Sequence, residues 1–242
     1  MASFERSTYS DATGSMIAAS AAGSDNATAV GVGQNNRMAA QSLTIRSKGQ
    51  TGVVDLGGGA TTHGLSAKEI ASRVNGQSNY TGGVGARAET YAFLSLGTAG
   101  TTQASVNFKL NGQSISAYSS STASDVDGLV TAINDVSGAT GVTAQKVDLP
   151  GTSGSYRIQL FAADGRDINV QQASVSVQSG GSASGSGLLQ VQGAFDSNGT
   201  IIGAGVSTTG GTSGIQVGVQ TLASAASGRN TTVGGRVIFT ND

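Results

Sequence analysis

Residues 66–82, SAKEIASRVNGQSNYTG, and residues 125–141, DVDGLVTAINDVSGATG, are two versions of one block set 59 positions apart. Ile70, Val74, Asn75, Thr81 and Gly82 of the first recur as Leu129, Ile133, Asn134, Thr140 and Gly141 of the second. Each version reads as a short amphipathic helix, a Thr-Gly turn and a following strand. In the first, Ser66 is the expected N-cap and Glu69 completes a capping box, with Leu65 and Ile70 placed as a hydrophobic staple. Ile70 and Val74 lie one turn apart with small Ala67 and Ala71 beside them, and Gly76 is the expected stop. In the second, Thr122 or Ser124 is the expected cap, and Asp125 and Asp127 fall in the first turn, where the helix dipole favours carboxylates. Val126, Leu129, Val130 and Ile133 form its apolar stripe, and Gly138 is its expected end.

Strands surround both blocks. Residues 43–45 and 53–56 precede the first, ahead of a Gly57-Gly58-Gly59 break, and 84–93 follow it with Arg87 and Glu89 expected to face water. Residues 105–110 alternate, Asn111-Gly112 is a hairpin turn, and 113–117 return. Strands are expected at 142–149 and 156–160, then an Asp164-Gly165 turn into 167–170. From residue 172 onward only strands are read, at 174–177, 188–191, 201–202, 215–219 and 236–239, with 182–187 as a loop. The fold class is therefore α+β and β-rich: small antiparallel sheets each carrying one short helix, plus an all-β C-terminal part. Four stretches follow. Residues 1–42 are a loop-rich N-terminal segment, 43–96 a first sheet-helix module, 97–171 a second module, and 172–242 a β-rich Ser/Thr/Gly region.

Composition narrows the function. Charged residues make up 11% of the 242 and the net charge is −1, so the chain has no basic footprint for nucleic acid. There are 38 glycines, one proline and no tryptophan, and the apolar fraction of 37% favours thin cores between sheets. The absence of cysteine removes disulfide scaffolds, thiol catalysis and thiolate metal sites. No run approaches the roughly 18 apolar residues of a membrane helix. The start, Met1 to Arg6, lacks the charged-then-apolar order of a signal peptide, so export is expected to use a signal elsewhere or a dedicated channel.

The segments FKLNGQSIS (108–116), SDVDGLVTAIN (124–134), ATGVTAQ (139–145) and YRIQLFAADGRDINV (156–170) resemble the repeat of the central variable region of bacterial flagellins and of hook-associated proteins. SAKEIASRVN (66–75) and TGGVGARAET (81–90) resemble the same segment, with Gly83 as an inserted residue. The long heptad helices that flagellins carry at both ends have no counterpart here. The resemblance therefore implies the surface-exposed outer region of a flagellin: a structural part of the filament used in motility, extracellular, and meeting other flagellin subunits through core regions absent from this chain. It further implies that the outer region is an insertion, so that 234–239 return to the sheet begun near Leu43 and 97–171 form a nested distal domain. Host surface or immune receptors are the other partners such a face would meet. O-linked sugar on exposed Ser or Thr is a modification that the family often carries. The isolated chain is expected to be a monomer, without membrane or nucleic-acid partners.

No catalytic, cofactor-binding or metal-binding residue is assigned, and the chain is read as no enzyme. His63 is the sole histidine, and neither a His-Glu-x-x-His run nor a Gly-x-Ser-x-Gly elbow accompanies it. Gly57 to Gly59 lack the lysine-threonine ending of a phosphate loop. Asp125, Asp127, Asp164 and Asp167 fit turn and cap positions better than a calcium cage of six or more oxygens. Asn26, Asn79, Asn198 and Asn230 match the N-glycosylation sequon, a match that an Asn- and Thr-rich chain produces by chance. The rival reading is a glycan-binding or adhesive module of a secreted or phage-fibre surface protein. Its discriminator is a concave aromatic site, to be sought among Tyr80, Tyr91, Phe93, Phe108, Tyr118, Tyr156, Phe161, Phe195 and Phe239.

Overall fold

Alternation in SLTIRS and QTGVVD buries Leu43, Ile45 and Val54 on one face, and these segments form an antiparallel hairpin of strands Ser42–Ser47 and Gln50–Asp55. Lys48 and Gly49 turn the chain with φ of 48° and 77°, the left-handed pair that a two-residue hairpin needs. The computed structural model describes residues 19–20, 42–56, 65–97, 103–120, 126–148, 156–179, 182–186, 188–194, 219–223 and 231–241. In chain order the strands are β1 (Ala19–Ser20), β2 (Ser42–Ser47), β3 (Gln50–Asp55), β4 (Val84–Gly97), β5 (Gln103–Leu110), β6 (Gln113–Ser120) and β7 (Thr143–Asp148). They continue as β8 (Tyr156–Ala162), β9 (Ile168–Ser179), β10 (Ser182–Ser186), β11 (Leu188–Ala194), β12 (Val219–Ala223), β13 (Thr231–Val233) and β14 (Arg236–Asn241). The helices are α1 (Ala67–Gly76), α2 (Asp127–Asp135) and α3 (Ser137–Thr140). The fold is β-rich α+β.

Beside the β2–β3 hairpin there are two larger antiparallel sheets. One runs β1-β13-β9-β5-β6 with β10 on β9; the other runs β12-β11-β4-β8-β7 with β14 on β4. Their facing residues make one core: Val106, Phe108, Leu110, Ile168 and Val170 from the first, Leu94, Ile158, Leu160, Leu189 and Val191 from the second, with Leu129 and Ile133 of α2 between. The other core gathers Leu43, Ile45 and Val54 with Ile70 and Val74 of α1, Val84 and Ala88 of β4, and Val237 of β14. At ten residues α1 would be marginal alone in water. Burial of Ile70 and Val74, worth about 1.5–3 kcal/mol each, is what holds it.

One strand belongs to both cores. β4 pairs with β14 through 84–89, with β8 through 90–94 and with β11 through 91–97. It delivers Val84 and Ala88 to one core and Ala92 and Leu94 to the other.

Several sequence expectations are corrected. Glu89 does not face water: it is 8% exposed and pairs across the strands with Arg236, while Arg87 stays outside at 3.7 Å. The first residue before α2 is Val126, with no side-chain cap bond; the position matching Glu69 is Gly128, so a capping box has no second partner. Thr122, Ser124 and Asp125 lie outside the described residues. Gly138 does not end the helical stretch. It sits inside α3, and Gly141 at φ 69° makes the left-handed stop. Residues 182–186, read as part of a loop, form β10 antiparallel to β9. Within 1–42, read as loop, Ala19 and Ser20 pair with Thr232 and Thr231. β9 runs from Ile168 to Ser179, and strands after it supply Leu189, Val191, Val233 and Val237 to the two cores. Residues 201–202 and 215–218 lie outside the described residues.

No helix among the described residues is long and apolar enough to cross a membrane.

Candidate functional site

The duplicated block is two copies of one hydrogen-bonded device. Asn75, one residue before the end of α1, donates from Nδ2 to the Ala86 carbonyl at 2.8 Å and accepts the Ala86 amide at 2.7 Å. Asn134, at the same place in α2, donates to the Ala144 carbonyl at 2.9 Å and accepts the Ala144 amide at 2.8 Å. A primary amide has one donor edge and one acceptor edge, as a peptide group does, so each Asn pairs with the next strand as an extra rung. The partner lies eleven positions on in the first copy and ten in the second. Gly83, at φ 83°, absorbs the difference.

The threonines complete each device. Thr81 and Thr140 are fully buried, and their hydroxyls bond the backbone carbonyls of Val84 and Val142, at 3.2 and 3.4 Å, and those of Ser78 and Val136 in the preceding turn. Gly82 and Gly141 follow at φ 67° and 69°. A Cβ at Gly82 would lie 3.0 Å from the Ser47 carbonyl carbon, so the glycine also admits the β2–β3 hairpin.

A third cluster ties the cores to each other. Asp164 receives Arg166 Nε and Nη2 at 3.0 and 2.8 Å, and Lys68 of α1 reaches the same carboxylate at 2.8 Å. The paired guanidinium holds the Asp164 carboxyl well below the usual carboxylate range. Arg166 Nη1 donates to the Thr140 carbonyl at 3.1 Å, the Arg166 carbonyl accepts from Thr90 at 2.8 Å, and the Lys68 amide donates to the Gly165 carbonyl at 3.0 Å. This turn therefore bonds α1, β4 and the second Thr-Gly turn at once.

The chemical candidates are not brought together. Asp164 is engaged by Arg166 and Lys68, and Asp127 pairs with Lys146 at 3.0 Å. Among the described residues no three His, Asp or Glu side chains gather as metal ligands. His63, Gly57 to Gly59, Asp125, Asn26, Asn198 and Asn230 lie outside the described residues. Asn79 is exposed beside Tyr80, itself 66% exposed.

The aromatic residues are less scattered than their sequence spacing suggests. Tyr91 and Phe161 stack with centroids 4.7 Å apart, and the Arg157 guanidinium lies 3.7 Å from the Phe93 ring centre. Arg157 Nε is buried without a hydrogen-bond partner, and burial pushes the guanidinium below its ordinary value. The ring contact offsets part of that cost. Cross-strand pairing made these neighbours, and no sequence-local signal marks it.

The family described as flagellin hook IN motif matches residues 105–164, the span from β5 to the Asp164 turn. No curated protein matches the chain. Among solved structures, the D2-D3 domains of the flagellar cap protein FliD from Escherichia coli align at 13% identity over 65% of this chain and 94% of that one, with a TM-score of 0.18. The D1-D2-D3 domains of the same protein align at 12% identity over 73% and 58%, also at 0.18. At that score neither alignment carries weight for this fold. Residues 105–164 are thus similar to the flagellin hook IN motif, as their resemblance implies.

Proposed function

We propose that the chain is the solvent-exposed outer region of a bacterial flagellin, built to give the filament surface its shape, spacing and antigenic face. The observation that carries this reading is the motif at 105–164 together with its second copy around α1, both closed by the same Asn, Thr and Gly contacts. The role is mechanical: apolar surface is buried for rigidity. The strands near Leu43 and Val237 share one core, the arrangement expected of a region inserted between two core-forming flanks. On that arrangement 97–171 form the distal part. The same reading makes the chain no enzyme, extracellular, monomeric in isolation and open to O-linked sugar on exposed Ser and Thr.

Immunogold electron microscopy with antibodies raised against this chain tests the proposal on intact cells. Label along the whole filament is the expected result. Label confined to the filament tip or to the hook junction would replace it with a cap or hook-associated role.

A further inference from the structure

The sheet built from β11, β4, β8 and β7 buries one face, and its other face carries two cross-strand rows. Tyr91, Phe161 and Thr143 form the first, since Tyr91 pairs with Phe161 and Phe161 with Thr143. Phe93, Gln159 and Gln145 form the second. Residues paired across antiparallel strands share a face, and five of these six residues border one surface depression, while Phe93 is buried. Its volume is about 400 Å³, which has room for one or two sugar rings.

The lining has a definite chemistry. Tyr91 covers one face of the Phe161 ring at an interplanar angle of 24°, which leaves the opposite face turned toward the sheet edge. There the cross-strand neighbour is Thr143, a side chain much shorter than a ring, so the ring stands above a step. Thr143 and Gln145 are exposed, and the Gln145 amide nitrogen donates to the Gln159 carbonyl oxygen. None of the lining residues is an Asp, Glu, Lys, Arg or His. An anionic ligand would find no cation among them. The Thr143 hydroxyl donates to the Phe161 carbonyl at 3.3 Å and keeps its oxygen lone pairs as acceptors, so a wholly apolar ligand would cover that acceptor and the exposed Gln145 amide without giving them a partner.

We propose that this shelf binds neutral carbohydrate, with the C–H face of a pyranose ring against Phe161 and its hydroxyl groups bonded to the Gln145 amide and the Thr143 hydroxyl. Such a ligand meets both halves of the surface, an apolar ring face and uncharged donors and acceptors at its rim. Because one side of the sugar remains in water, the affinity is weak, with a Kd on the order of 1 mM. This function goes beyond the structural role and does not depend on it.

The test is saturation-transfer NMR on the full chain with neutral tetrasaccharides of glucose, mannose, galactose and N-acetylglucosamine, each at about 10 mM. Transfer to ring C–H protons of at least one is expected. Phe161→Leu and Gln145→Glu should each weaken it about fivefold or more, while Tyr80→Ser, which alters an exposed ring elsewhere, should leave it unchanged. Should Phe161→Leu fail to fold, Gln145→Glu at its exposed position decides the matter. No transfer to any sugar, or transfer that survives Gln145→Glu, would overturn the proposal.

Discussion

Replacing Asn134 by alanine removes both bonds by which the end of α2 holds β7, the donor to the Ala144 carbonyl and the acceptor of its amide. Each such bond contributes about 0.5–1.5 kcal/mol net, so the pair is worth about 1–3 kcal/mol. The lower half of that range is expected, because Asn134 is exposed and water can reach the freed Ala144 groups. With a urea slope of about 2 kcal/mol per molar, the midpoint should fall by about 0.5–1 M in unfolding followed by circular dichroism. Asn134→Asp separates the two bonds. It keeps an acceptor for the Ala144 amide but sets a carboxylate oxygen against the Ala144 carbonyl, and it adds negative charge near a helix C-terminus. It should therefore cost more than alanine. Asn75→Ala should match Asn134→Ala in size, since its bonds to Ala86 are alike. A midpoint for Asn134→Ala within about 0.2 M of the parent, or an Asp variant as stable as the parent, would refute the view that these amides act as strand rungs.

Gly165→Ala should destabilise far more than Gly112→Ala. Both residues have positive φ, at 74° and 86°, which costs about 1–2 kcal/mol for an L side chain. A Cβ on Gly165 would also overlap the Ala88 side chain and lie 2.9 Å from its carbonyl carbon, whereas one on Gly112 meets nothing within 4 Å. Thermal melts of the two variants that coincide would contradict this packing. Asp164 should make the fold acid-sensitive. Its folded pKa is depressed by Arg166 and Lys68, so its contribution is full above the unfolded carboxylate value of about 3.9 and is lost as pH falls through the lower folded value. Melting temperatures measured from about pH 5 down to about pH 2 should fall less steeply for Asp164→Asn than for the parent, and parallel curves would exclude Asp164 as a contributor.

Helix α1 is legible in the sequence because everything that defines it is local: Ser66 and Glu69 reciprocate within one turn, and Ile70 and Val74 face the same way. The start of α2 is harder, because the second copy has Gly128 where the first has Glu69 and begins without a side-chain cap. The recurrence of Asn75 as Asn134 is visible in the text of the chain, yet its purpose becomes plain only when both amides are seen on Ala86 and Ala144. Glu89 looks like a solvent-facing strand residue until Arg236, 147 positions later, arrives beside it. The Tyr91–Phe161 stack is hidden for the same reason. Its rows are set by strand register, which no nearby residue announces. Residues 182–186 carry the composition of a loop but gain their rungs from β9.

The double membership of β4 sets a rule of parity for any lengthening of this region. The β14 ladder ends at Glu89 and the β8 ladder begins at Thr90, so an insertion between them interrupts neither. Two added residues would carry the far core outward by about 6.6–6.8 Å, parting Lys68 from the Asp164 turn, and leave every inward side chain of β4 inward. One added residue would exchange inside for outside along the rest of the strand, turning Ala92 and Leu94 to water and Tyr91 into the core. Size variants of this surface that keep both cores should thus differ at this hand-over by even steps only.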